Sequence, residues 1–292
     1  MIRYTRDEID NIRKKNIKID VSDDILEKIK SIVIQVGSPT YIKTPLFTKK
    51  RRNNKQFETI PIPNKPAKTF GQSIMELLNK LNDSNYDLMK PKIIDIIIEI
   101  SKSNDKYSEV VSKIYELVSF QSFNIKIYGK LFKDIVSIFP EFKDLCLLEF
   151  ENYIPKFVNI KCTGPENYDL FCEYNEKNDS IRCLCKFYIE LYANEILDIT
   201  YIINLIIILQ TELKTKLKDD NIEVNENPCV EYTENVFTLI VGTLKELVDS
   251  STWEGIYNSI IEVKSFDKKI YKNMNSKIKF KHMDLIDIIN KN

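Results

Sequence analysis

Metal ligation draws on thiols, imidazoles and carboxylates, and thiols and imidazoles also carry much nucleophilic and acid–base chemistry; this chain of 292 residues holds six cysteines and a single histidine. The cysteines are Cys146, Cys162, Cys172, Cys183, Cys185 and Cys229, and the histidine is His282. No two thiols have the C-x-x-C spacing. Cys183 and Cys185, two positions apart, fall on different sides of a helix, and one imidazole cannot complete a zinc set. Free thiols in a reducing compartment are the better reading. The chain has no phosphate-loop pattern, no paired-histidine zinc motif and no nucleophile-elbow pattern. Its carboxylates are plentiful, but no pair is singled out by spacing. No catalytic residue, metal or cofactor is expected, and an enzyme is disfavoured.

Two other groups of residues suggest binding. Lys49, Lys50, Arg51 and Arg52, with Lys55 close behind, form a basic run flanked by Phe47 and Phe57. Clustered cations hold RNA phosphates without sequence preference, and flanking rings stack on bases. A nuclear-localisation signal or a solvated linker fits the same run. The second group is Leu78, Leu81 and Tyr86, on either side of the polar stretch Asn82–Asn85. Leu77, Leu78 and Leu81 make one apolar stripe and Leu88 to Ile100 a second, so two short helices fold back across a tight turn. The three residues either close the core of that hairpin or project from its turn as an apolar knob.

The elements that must position these groups fall into three zones. Residues 1–36 read as a charged helical arm, in which Ser22 caps a helix with Asp23 and Asp24 in its first turn. Ile25, Leu26, Ile29, Ile32 and Val33 form its apolar face. Residues 37–68 contain Pro39, Pro45, Pro61, Pro63 and Pro66 and read as a linker. From 69 to 292 the helical period predominates, with helices predicted near 70–82, 86–101, 107–120, 123–138, 141–153, 180–194, 197–217, 232–249, 251–263 and 280–290. Two polar loops, near 154–179 and 218–231, interrupt them, and Ser251 with Glu254 has the pattern of a capping box. Taken in order, these helices suit an all-α solenoid of about five antiparallel HEAT-like pairs, with a helical bundle without repeats as the alternative. With 6 Gly and 10 Pro, hairpin-rich β architecture is disfavoured. The 43 basic and 43 acidic side chains balance, so attraction to nucleic acid or membrane must be local. The first residues, MIRYTRDEID, are charged and lack an apolar signal core. The apolar run Ile199–Leu209, broken by Thr200 and Asn204, is too short to span a bilayer. A cytoplasmic protein without a membrane partner is expected.

Leu78-Asn79-Lys80-Leu81 followed by Tyr86 resembles the opening hairpin of the middle domain of translation initiation factor 4G, where a Leu-Asn-Lys-Leu turn and a following aromatic grip a DEAD-box helicase. The likeness runs over most of 70–250. Phe123, Tyr128 and Leu131 resemble the family's second hairpin. Ser180-Ile181-Arg182 through Ile189-Glu190-Leu191-Tyr192 resembles its third-repeat helix, and Glu234-Asn235-Val236-Phe237 through Leu244 the helix after that. The resemblance implies a scaffold that binds a helicase of the initiation factor 4A type through Leu78, Asn79, Lys80, Leu81 and Tyr86, and meets its second lobe near Arg182. By touching both lobes, such a scaffold favours a half-open state and speeds product release. The family's Trp ahead of the first hairpin has no counterpart in Ile60–Asn64; Trp253, the sole tryptophan, reads as a core anchor of the last hairpin.

Tyr4 and Ile9 resemble the short helix by which factor 4G binds the cap-binding protein, initiation factor 4E. Asp10 stands where a second apolar residue is usual, and Ile12 lies close enough on the helix to supply that contact. Together these likenesses imply a reduced translation initiation scaffold, with mRNA touched through Lys49–Lys55. The dominance of Ile, Asn and Lys suggests an AT-rich genome, such as that of a large DNA virus acting in its host's cytoplasm or of a protist. The same architecture serves scaffolds of mRNA decay, splicing and poly(A) control. A helical interaction protein with no RNA role is a further class. The Tyr4 motif discriminates among them, because only the initiation reading needs a cap-binding partner.

Overall fold

The computed structural model describes residues 22–35, 70–101 and 107–291. Among these residues the protein is all-α, with twelve helices and no strand. The chain divides into two units, Met1–Pro63 and Asn64–Asn292.

In the first unit the described element is α1 (Asp23–Gln35). It begins where Ser22 was expected to cap it: the Ser22 carbonyl accepts from the amides of Ile25 and Leu26, and Asp23 and Asp24 occupy the first turn. Ile25, Leu26, Ile29 and Ile32 of its apolar stripe are exposed.

The second unit comprises α2 (Phe70–Lys80), α3 (Tyr86–Ser101), α4 (Tyr107–Phe120), α5 (Ile125–Ile138), α6 (Glu141–Val158), α7 (Tyr168–Ala193), α8 (Ile199–Lys218), α9 (Cys229–Gly242), α10 (Leu244–Val248), α11 (Trp253–Ser265) and α12 (Ser276–Lys291). Ten of them stack in two layers. Helices α2, α4, α6, α8 and α11 form one layer, and α3, α5, α7, α9 and α12 the other, each packing on the next in its own layer. The result is solenoid-like, with one apolar core running between the layers.

Periodicity explains the packing of most helices. In α3 the buried residues Met89, Ile93, Ile97 and Ile100 recur at helical spacing, and in α8 so do Ile202, Ile206, Leu209, Leu213 and Leu217. Two glycines let neighbours approach α7 closely. A Cβ on Gly242 of α9 would lie 2.4 Å from Ile189 Cδ1, and one on Gly129 of α5 would lie 3.0 Å from Glu190 Cβ.

Several expected boundaries move. Helix α7 begins at Tyr168, twelve residues before the expected start, and α6 continues through Pro155 to Val158. The stretch expected to be one long polar loop is therefore mostly helix. The helix expected over 232–249 is two, α9 and α10, broken at Thr243. The Ser251–Glu254 capping box does not form: α11 starts after Thr252 without a side-chain cap. Trp253 is half-buried in its first turn, packed against the core and 5.9 Å from the Tyr257 ring.

The third pair departs from the others. The first, fourth and fifth pairs pack closely as hairpins and α4 touches α5 only lightly, but the backbones of α6 and α7 barely approach each other, and α7 lies against α4, α5 and α9 instead. Rings bridge the gap. Phe150 and Phe157 of α6 meet Tyr188 of α7 with centroids 4.6 and 5.9 Å apart, and Tyr115 of α4 meets Phe187 edge-on at 5.4 Å.

Candidate functional site

The turn between α2 and α3 is held by two asparagines. Asn85 Nδ2 donates to the Lys80 carbonyl at 2.7 Å, closing the end of α2, and its Oδ1 accepts from the Asn82 amide at 2.8 Å. Asn82 Oδ1 in turn accepts from the Asn85 amide and the Ser84 hydroxyl. Side-chain amides thus satisfy backbone groups that the helix ends leave open.

This turn buries the three residues that were expected either to close the hairpin core or to project from it. Leu78, Leu81 and Tyr86 are core residues. The Tyr86 hydroxyl donates to Asp134 Oδ2 at 2.8 Å, Lys90 Nζ meets the same oxygen at 2.8 Å, and Lys130 Nζ sits 4.2 Å from the centre of the Tyr86 ring. Burial and the Asp134 carboxylate push the Tyr86 phenol far above its ordinary range. Burial works against ionisation of Asp134, but hydrogen bonds from Lys90 and Tyr86 and the charge of Lys130 outweigh it and hold the carboxyl low. Of the two alternatives the core one holds and the projecting knob does not: these three residues close the first hairpin, and Tyr86 ties α3 to α5. The physical reason is the helical period, which points 74, 78 and 81 inward together.

Of the expected turn residues, Asn79 and Lys80 remain exposed. Leu88, expected to open the second apolar stripe, is instead 72% exposed in the first turn of α3. The reason is the helical period: Leu88 falls one position ahead of the buried stripe 89–93–97–100. Phe123 is 97% exposed in the short 3₁₀ turn Ser122–Asn124. The two connectors are joined: Gln121 Nε2 donates to Asn79 Oδ1 at 2.9 Å, and the Tyr128 hydroxyl donates to the Leu78 carbonyl at 3.2 Å.

Arg182 is not a free contact residue. Its guanidinium pairs with Asp179 on its own helix and with Glu231 on α9, which makes it a tie within one layer. Tyr4, Ile9 and Ile12, and the run Lys49, Lys50, Arg51, Arg52 and Lys55, lie outside the described residues.

The later connectors are laced in the same way. Asn225 Nδ2 donates to Glu166 at 2.8 Å, and Asn227 Nδ2 to the Asn273 carbonyl at 2.8 Å. Connectors following α2, α4, α6, α8 and α11 thus carry cross-links from one pair to the next. The exception lies between the second and third, where α6 and α7 splay.

Burial makes five of the six thiols poor nucleophiles. Burial pushes Cys146 and Cys229 up to about 12 and Cys162 to about 11, and raises Cys183 and Cys185 too. His282 is buried, with Nδ1 2.8 Å from the Ile278 carbonyl, and desolvation lowers its pKa. Among the described residues no group of three His, Cys, Asp or Glu side chains could hold a metal ion. No described helix is long and apolar enough to cross a membrane. What the geometry offers is a cross-linked edge of turns bearing exposed apolar and basic side chains. No protein-family model matches the chain, and no curated protein matches it either.

Proposed function

We propose that this chain is a translation initiation scaffold of the factor 4G middle-domain type, and that it holds a DEAD-box helicase of the initiation factor 4A type along the edge formed by its turns. The observation supporting this most directly is the α2–α3 connector. It keeps Asn79 and Lys80 exposed at the end of α2 and Leu88 exposed in the first turn of α3, on a turn braced by Asn82 and Asn85 and anchored to the next connector. A rigid turn presents such side chains without an ordering cost on binding. In this reading Leu78, Leu81 and Tyr86 hold the turn in shape. The N-terminal Tyr4, Ile9 and Ile12 recruit a cap-binding protein of the initiation factor 4E type, and Lys49–Lys55 touches mRNA.

The test is stimulation of such a helicase's ATPase by the full chain. Lys80→Glu and Leu88→Glu change exposed residues and leave the core alone. Each is expected to weaken helicase binding about tenfold, the scale of one lost interface anchor. Undiminished binding by both variants overturns the helicase reading. Tyr4→Ala combined with Ile9→Ala is expected to abolish recovery of the cap-binding protein while helicase binding persists.

A further inference from the structure

The splay between α6 and α7 leaves a groove of about 1000 Å³ bounded by the ends of α4 and α6 and the first half of α7. Its apolar surface comes from Phe120, Tyr153, Ile160, Tyr174 and Ile181. Phe120 is 63% exposed at the end of α4. A concave, mostly apolar site of this size takes several side chains of a ligand.

The charges around it are unequally satisfied. Glu116 is paired with Lys113 at 2.6 Å and Glu173 with Lys177. Lys156 lies over the Tyr153 ring at 3.7 Å, and Lys161 lines the same groove. Among the described residues neither lysine makes an ion pair, and of the lining acids only Glu176 is likewise unpaired. Burial pulls the Lys156 ammonium below its ordinary pKa, so a carboxylate brought against it would replace solvation it has lost. Three carboxylates in the same groove make it a poor track for a phosphate backbone. They are compatible with a ligand that carries one acidic group beside apolar bulk.

We infer that this groove is a docking site for a peptide segment of a partner protein, whose bulky apolar side chains seat between Phe120, Tyr153, Tyr174 and Ile181 while a neighbouring Asp or Glu pairs with Lys156 and Lys161. The site is separate from the α2–α3 turn and does not depend on the helicase reading. Apolar burial supplies most of the affinity, and the lysines set which segments are accepted.

The test is a display selection of random peptides of about twelve residues on the immobilised full chain, followed by fluorescence polarisation with the enriched peptides. Enrichment of paired bulky apolar residues with an adjacent acid is expected. Lys156→Glu combined with Lys161→Glu should weaken binding about tenfold or more, and exchanging the peptide's acid for lysine should restore binding to that variant. Phe120→Ser should weaken both pairings, with an unchanged melting curve because the ring is exposed. No enrichment, or enriched peptides indifferent to all these changes, overturns the proposal. So does a uridine dodecamer that binds wild type and is lost with the same substitutions while peptides fail to bind.

Discussion

Tyr86 shows how burial changes the meaning of a residue picked out by its type. Its ring sits in the core and its hydroxyl holds a carboxylate that Lys90 also holds, so removing the whole side chain would damage the fold and any binding at once. Tyr86→Phe isolates the polar part. Losing a partly buried hydrogen bond to a charged acceptor should cost about 1–3 kcal/mol, read as a lower denaturation midpoint with an unchanged slope. Helicase binding should survive it. His282 makes a second residue-scale test. Folded, it is neutral and desolvated, with a pKa below the ordinary 6.5. Unfolded, it takes up a proton near that value, so the unfolded state binds more protons as pH falls. Stability should be insensitive to His282 above pH 7 and should decline below about 6.5, by at most about 1.4 kcal/mol per pH unit. His282→Gln should flatten the denaturation midpoint between pH 7 and 5; an unchanged pH slope would show that another group is responsible.

At the scale of elements, helices with a buried stripe were legible in the sequence and helices without one were not. α3 and α8 show their period because one face must leave water. The first half of α7, Tyr168 to Lys177, buries none of its side chains. It is held by the Asn167 cap on the Leu170 amide and by the solvent-exposed Glu173–Lys177 pair, which contribute little stability. With no apolar period to read, it looked like a loop. That weakness has a measurable consequence. Amides in 171–177 should exchange with solvent much faster than those in 181–191, where Ile181, Leu184, Phe187, Tyr188 and Leu191 are buried. Equal protection across the helix would mean that the exposed half is fastened by something besides its own turns. The turn residues were legible differently: Asn82–Asn85 read correctly as a break, but which side chains the break would expose depended on the direction of the stripe through 74, 78 and 81.

For the whole molecule, a two-layered stack was legible because ten amphipathic segments of similar length leave few other ways to bury their stripes. The splay of the third pair was not, because it depends on rings from three helices meeting across a gap. A stack whose helices mostly touch their neighbours has a specific mechanical property: damage at one end should fade with distance. Asn273 makes this testable. Its Nδ2 donates to the carbonyls of Lys216 and Asp219 at 2.8 and 2.6 Å, and its own carbonyl accepts from Asn227. It therefore fastens the connector after α11 to the one after α8. Asn273→Ala leaves two carbonyls without that donor and should cost about 1–3 kcal/mol. Hydrogen exchange should show the loss concentrated in α11, α12 and the end of α8, with α2 through α5 keeping wild-type protection. If protection falls uniformly from α2 to α12, the stack unfolds as one cooperative body, and its two ends cannot serve as independently yielding platforms for two partners.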